Sequence, residues 1–440
     1  MKKFIKILFL LPNIAYAENN CATIRHVPNK ELTLKNVINL GLCRNPQTAA
    51  AYANLQSNKY IKNMSYSYYL PSVSMSGNVK RDHTHHDDWL YSASISASYL
   101  IFDFGKRESD FKESVELYKA AGFDYDDNIQ NYIYSVVNGY YALLTADANV
   151  KSAESALVVA KTAKNTADKK YKAGAVAKAD VYQADTNLAS SQLSLERAKN
   201  DREITKANLL NFLSFPSTEN IKIKDMPVSF GSDKEMKDLD GLMEMAKKKR
   251  PDLLKSKSET LVAWHKRNSA FLQNLPSFSV NGSFGVTDKT FGGMFNDISI
   301  KADGHIGISV SMPIFSGFVN MYNAKSAVSN YEKAKYMEQN TKNNVMMDVF
   351  NAYQNYKTAC NVLEQTKTLL KSATESERVV SGMYKVGRAT KLDWQTAQSD
   401  LVNAQKENNS AKYDLFIKRA SIALAIGDIK RELKDYDNGK

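Results

Sequence analysis

Period-two alternation is sharpest between Tyr91 and Tyr99, where apolar residues hold the odd positions and serine the even ones. A segment of that kind is a strand with one face against an oily surrounding and the other against water. Three more segments carry the signature: Ser72 to Lys80 through Val73, Met75 and Val79, then Phe278 to Phe284, then Ile306 to Ile314 through Ile308, Val310 and Met312. Lengths of about 9 to 11 residues suit a tilted strand crossing a bilayer. Elsewhere the pattern turns helical. Lys106 to Tyr171 and Val319 to Tyr384 contain no proline, and Val349, Tyr353, Tyr356, Cys360 and Leu363 step by 4, 3, 4 and 3, a heptad seam. Ile129, Tyr132, Ile133, Val136, Tyr140, Leu143 and Leu144 mark a comparable stripe in the first of these helices. At a helical rise of 1.5 Å per residue each would run for about 100 Å. Shorter helices are predicted over Asp180 to Phe212 and Lys391 to Ile426, with Leu32 to Tyr69 and Leu242 to Asn274 completing each column.

These elements recur in the same order. Leu70-Pro71-Ser72-Val73-Ser74 returns 205 residues later as Leu275-Pro276-Ser277-Phe278-Ser279. Tyr171-Lys172-x-Gly174-x-x-x-Lys178-x-Asp180 returns 213 residues later as Tyr384-Lys385-x-Gly387-x-x-x-Lys391-x-Asp393. The chain therefore reads as two copies of one unit, residues 18–220 and 242–428, with a linker at 221–241 and a polar tail at 429–440. Four strands cannot close a membrane barrel, which needs about eight, and an open edge in hydrocarbon leaves its amides unpaired. The strands must be shared between subunits. Two, three or four copies would give eight, twelve or sixteen strands, and the strand count does not choose.

Composition narrows the class. Over 440 residues, 43% hydrophobic and 24% charged content excludes both a bundle of membrane-spanning helices and a disordered chain. Lys2, Lys3 and Lys6, a short apolar run from Ile5 to Leu11 and Ala15-Tyr16-Ala17 read as a secretory signal peptide over residues 1–17. Losing its three lysines lowers the formal charge from +12 to +9. The remaining lysines are spread among nearly as many acids without a nucleic-acid motif, so nucleic acid is not an expected partner. An exported chain permits a bridge between Cys21 and Cys43, whereas Cys360 falls on an apolar stripe. Asp82-His83-x-His85-His86-Asp87-Asp88 has the residue types of a divalent-metal site. It lies in the loop between two strands and reads as a solvated loop, so no metal is expected. No nucleotide fingerprint, nucleophile elbow or HExxH motif is present, and neither an enzyme nor a cofactor is expected.

Taken together and in order, several short motifs carry a resemblance. They are the helix starts Asn45-Pro46 and Arg250-Pro251, the two Leu-Pro-Ser strand openings, Leu100-Ile101-Phe102-Asp103-Phe104-Gly105-Lys106 with its counterpart Met312-Pro313-Ile314-Phe315-Ser316-Gly317, and the two Tyr-Lys-x-Gly segments. The sequence resembles the TolC family of outer-membrane efflux proteins over essentially the whole mature chain, and Leu42-Cys43-Arg44-Asn45-Pro46 is similar to a branch with the cysteine pair. The resemblance implies an α+β membrane protein: a homotrimer whose twelve strands form one outer-membrane β-barrel in lipid, continuous with a coiled-coil periplasmic barrel of helices. It implies a tunnel for drugs, toxic compounds or secreted proteins, working with a periplasmic adaptor and an inner-membrane transporter of ABC, RND or MFS type. Gly174, Ala175, Gly387 and Arg388 fall on the tip turns that would meet the adaptor. Asp180 falls where the family links neighbouring coils to the Tyr384 position and to an arginine, here Arg388, displaced by one residue. Asp393 matches the outer of two acidic positions around the aperture and Thr396 occupies the inner one, which leaves a weaker cation-attracting ring. Helix capping is the competing role for both aspartates. A soluble periplasmic coiled-coil adaptor is the alternative, but it leaves the four alternating strands without a purpose.

Overall fold

The computed structural model describes residues 26–28, 30–82, 88–225, 238–288 and 301–429. The expected leader, Cys21 and the histidines of the 83–87 stretch lie outside the described residues. In chain order the elements are β1 (Glu31–Leu32), α1 (Leu34–Leu42), α2 (Pro46–Ser67), β2 (Ser72–Asp82), β3 (Asp88–Phe102), α3 (Lys106–Lys172) and α4 (Lys178–Phe212). They continue as β4 (Lys222–Ile223), α5 (Leu239–Lys249), α6 (Pro251–Leu272), β5 (Ser277–Asp288), β6 (Lys301–Ser311), α7 (Val319–Lys385) and α8 (Lys391–Ala425).

Proline sets the places where these elements depart from expectation. The helix anticipated from Leu32 to Tyr69 is two helices, because a proline disfavours helical backbone in the residue before it while suiting the first helical position. Asn45 caps the new start, its side-chain oxygen accepting from the Thr48 amide at 3.0 Å. Pro251 divides α5 from α6 in the same way, with Arg250 extended at ψ 117. Strand β6 stops at Ser311 and does not reach Ile314, since Pro313 has no amide to offer a ladder.

The chain forms two compact units, and each draws on both halves of the sequence. One comprises the described residues up to Ala50, Asp127–Arg250 and those from Val345 onward; the other comprises Ala51–Asp126 and Pro251–Asn344. The first holds the core. Val37, Ile38, Ile133, Val136, Leu209, Leu210, Leu213 and Ile429 are almost fully buried, each aliphatic side chain contributing about 1.5–3 kcal/mol. Tyr140 donates from its hydroxyl to the carbonyls of Leu32 (3.3 Å) and Lys224 (2.5 Å), beside the parallel pairing of β1 with β4. Tyr141 stacks on Phe416 with centroids 4.9 Å apart. Farther along, buried residues recur every seventh position: Ala352, Ala359, Thr366 and Ala373 in α7, and Ala397, Ala404 and Ala411 in α8. Heptad spacing of small side chains makes a narrow seam that lets helices approach closely. Cys43 is disulfide-bonded and Cys360 is a half-buried free thiol.

The second unit carries a four-stranded antiparallel sheet in the order β2-β3-β5-β6. One face is a hydroxyl and amide network: Ser74 to Ser96 and Ser76 to Ser94 at 2.9 Å, and Ser98 to Asn281 and Asn281 to Ser309 at 2.7 Å. The opposite face aligns Met75, Ile95 and Phe284 across three strands, and it is bare: Met75 is 77% exposed and Ile306 82%. Among the described residues β2 and β6 each keep an unpaired edge. Among the described residues no helix is long and apolar enough to cross a membrane.

Backbone strain follows a regular spacing. Eight described residues have positive φ, in four pairs that each lie 213 residues apart: Phe104 with Gly317, Gly105 with Phe318, Gly174 with Gly387, and Ser214 with Gly427. The last pair closes α4 and α8, and an arginine serves each end. Arg44 donates to the Ser214 carbonyl at 3.1 Å and Arg250 to the Ala425 carbonyl at 3.2 Å, where positive charge complements the helix dipole. Crowding differs between the two ends. A Cβ on Gly427 would fall 2.8 Å from the Lys249 carbonyl oxygen and 2.9 Å from Arg250 backbone, whereas Ser214 already carries one. Gly427→Ala is therefore expected to destabilise the fold by about 1–3 kcal/mol. Ser214→Gly is expected to gain ~0.5 kcal/mol, because relief of left-handed strain outweighs the extra freedom glycine has when unfolded. Thermal unfolding followed by circular dichroism measures both, and equal effects would contradict this reading.

Candidate functional site

Two helical hairpins come together where α3 turns into α4 and α7 into α8. Each turn is made possible by a glycine in left-handed backbone, Gly174 at φ 69 and Gly387 at φ 76. The chain folds back at once. Ala175 N–H returns to the Lys170 carbonyl at 2.8 Å, and Arg388 N–H to Met383 at 2.8 Å.

Both aspartates of the tip cap their own helices. The Asp180 carboxylate accepts from the Ala177 amide at 3.2 Å, and the Asp393 carboxylate accepts from the Thr390 amide at 2.9 Å and its hydroxyl at 2.6 Å. The Thr390 hydroxyl in turn receives the Asp393 amide at 3.2 Å, completing a reciprocal box. These bonds from Thr390 hold the Asp393 carboxyl below the ordinary carboxylate range.

Two lysines cross from one hairpin to the other. Lys391, at the first position of α8, donates to the main-chain carbonyl of Asp180. Lys170 lies 4.7 Å above the Tyr384 ring. Tyr384 also stacks against Trp394, with centroids 5.0 Å apart and planes 19° from parallel, and the Trp394 indole donates to Glu377 at 3.0 Å. Burial, with the negative charge of Asp180 added to it, raises the Tyr384 phenol above its usual range. Burial lowers the Lys391 ammonium, against the favourable pull of Asp180 and Asp185.

Of the tip residues singled out in the sequence, Asp180 and Tyr384 are thus neighbours across the hairpins. No hydrogen bond or ion pair joins either one to Arg388 among the described residues. Gly174, Ala175, Gly387 and Arg388 lie exposed on the turns. Sequence reasoning passed over Lys170, Lys391, Trp394 and Glu377. One signal was available: Trp394 replaces the Val181 found 213 residues earlier, and Glu377 replaces Lys164, which in the first hairpin pairs with Asp168 (3.0 Å) and Asp185 (2.7 Å). The position of Lys164 and Glu377 thus serves each hairpin by different chemistry.

The sign of the acid dependence follows from the Asp393 bonds. A carboxyl whose folded value lies below its unfolded one contributes stability at neutral pH and loses it as pH falls below the ordinary 3.8. Amide exchange at residues 390–394 is expected to accelerate below that pH, and Asp393→Asn to abolish the acceleration. Exchange that stays pH-dependent in this variant, beyond the intrinsic chemistry, would count against the cap.

Comparison with known proteins locates the chain. A family model described as "Outer membrane efflux protein" matches residues 37–214 and 242–428. The outer membrane protein TolC of Escherichia coli (strain K12) is 25% identical over 362 residues, covering 78% of this chain and 70% of the relative. Protein CyaE of Bordetella pertussis is 20% identical over 421 residues, covering 93% and 87%. Among solved structures, the CmeC outer membrane channel of Campylobacter jejuni superposes with a TM-score of 0.77 at 22% identity, over 92% of this chain and 89% of the other. The outer membrane protein VceC of Vibrio cholerae gives 0.79 at 18% identity, over 90% and 96%.

Proposed function

Because the chain belongs to the outer membrane efflux protein family, the TolC family, we propose that three copies assemble into one export duct, closed at the tip of its helical hairpins. The chain is an export channel of the outer membrane and not an enzyme. The finer reading is a twelve-stranded barrel with four strands from each copy, continuous with a periplasmic tunnel of helices. The observation that carries it is the sheet with two unpaired edges and a bare apolar face, which lipid tolerates only when neighbouring copies close it. The two-copy reading of residues 18–220 and 242–428 is supported by the matched 67-residue helices α3 and α7, the 35-residue helices α4 and α8, and the paired positive φ angles.

The duct works with an inner-membrane transporter and a periplasmic adaptor, the latter meeting the turns at Gly174, Ala175, Gly387 and Arg388. Opening requires the hairpins to part, so Asp180, Tyr384, Arg388 and Asp393 form the gate region. The approach of Lys170 to Tyr384 and of Lys391 to Asp180 supports that assignment, since each contact spans the two hairpins of one chain. Arg388, with no such partner among the described residues, is the side chain left to reach a neighbouring copy. A soluble adaptor is the poorer reading, because it would expose the apolar strand face to water.

Purified protein is expected to migrate as a heat-modifiable trimer and to form channels in planar bilayers. Asp180→Ala and Tyr384→Phe are expected to raise single-channel conductance. A stable lone chain that never enters lipid would refute the duct, and conductance unaltered in both variants would refute the gate.

A further inference from the structure

The charge balance of the tip differs from what two acidic positions around an aperture would suggest. Lys169, Lys172, Lys178, Lys385 and Arg388 are all exposed on the two turns and their flanks. Lys170 and Lys391 are half-buried between the hairpins. Across residues 169–180 and 384–396 these cations face only Asp180 and Asp393, a surplus of +5 in each chain. Both carboxylates are turned onto backbone amides of their own helices. The next acids of the first hairpin, Asp168 and Asp185, share Lys164, and Glu377 of the second accepts from Trp394. Thr396 adds no charge.

A constriction ringed by lysine and arginine favours anions.

We propose that the tip aperture is a cationic ring that draws anions, so that the duct favours cargo bearing carboxylate, sulfonate or phosphate groups. This rests on the duct reading above and reverses the sign that Asp393 and Thr396 alone would give. Pooling copies around one axis concentrates the surplus, and the shared field reaches about 10 Å in 0.1 M salt.

The test is the reversal potential of the full-length protein in planar bilayers under a dilute KCl gradient. The wild type is expected to pass chloride in preference to potassium. The combined variant Lys172→Gln, Lys178→Gln, Lys385→Gln and Arg388→Gln is expected to shift the reversal potential toward that of potassium. All four side chains are exposed, and heat-modifiable mobility checks assembly. Should the combined variant fail to assemble, Lys385→Gln alone is expected to give a smaller shift of the same sign. A wild-type channel that prefers potassium would overturn the proposal, as would assembled variants that keep the wild-type reversal potential. A protein that forms no channel would instead overturn the duct on which the proposal rests.

Discussion

An unpaired strand edge beside a bare apolar face is the constraint on which this molecule depends. Each chain supplies one sheet of four strands, with β2 and β6 open at the sides and Met75, Ile306 and Ile308 uncovered. In water that face would aggregate, and in hydrocarbon those edges would cost several kcal/mol for each unpaired amide. Joining edge to edge with other copies removes both problems. Within each chain the buried alanine seams of α7 and α8 let the long helices pack closely.

The tip shows how a symmetric plan can be used unequally. Both hairpins turn on a glycine and start their returning helix with an aspartate cap, so the backbone is nearly the same twice. Side chains at matching positions diverge. The first hairpin is held by the Lys164 ion pairs, the second by the Tyr384–Trp394 stack and its bond to Glu377. Half-buried ion pairs are screened by salt more than stacked rings are, so salt is expected to loosen the first hairpin more than the second.

Much of the architecture was legible in the sequence because two periodicities alternate without ambiguity. Serine on every second residue between Tyr91 and Tyr99 admits only a two-faced strand, and long stretches free of proline admit long helices. The breaks at Pro46 and Pro251 were also visible, yet each pair of helices read as one column because stacked helices and a continuous one show the same polarity pattern. The alanine seams were not legible: alanine differs too little from its polar neighbours to mark a stripe, and the tyrosines beside it drew the heptad instead. At the tip, helix capping by Asp180 and Asp393 was readable from position alone. The contacts of Lys391 and Lys170 were not, since they depend on how two hairpins remote in sequence lie side by side.

The serine network of the sheet has a consequence of its own. Ser74 with Ser96, Ser76 with Ser94, and Ser98 with Asn281 each share a hydrogen bond and keep further donor and acceptor capacity for water. In the duct proposed above such a face would be a wetted wall, and its short side chains would give a passing molecule little to snag on. A lining that stays wet in this way is suited to letting go of whatever arrives.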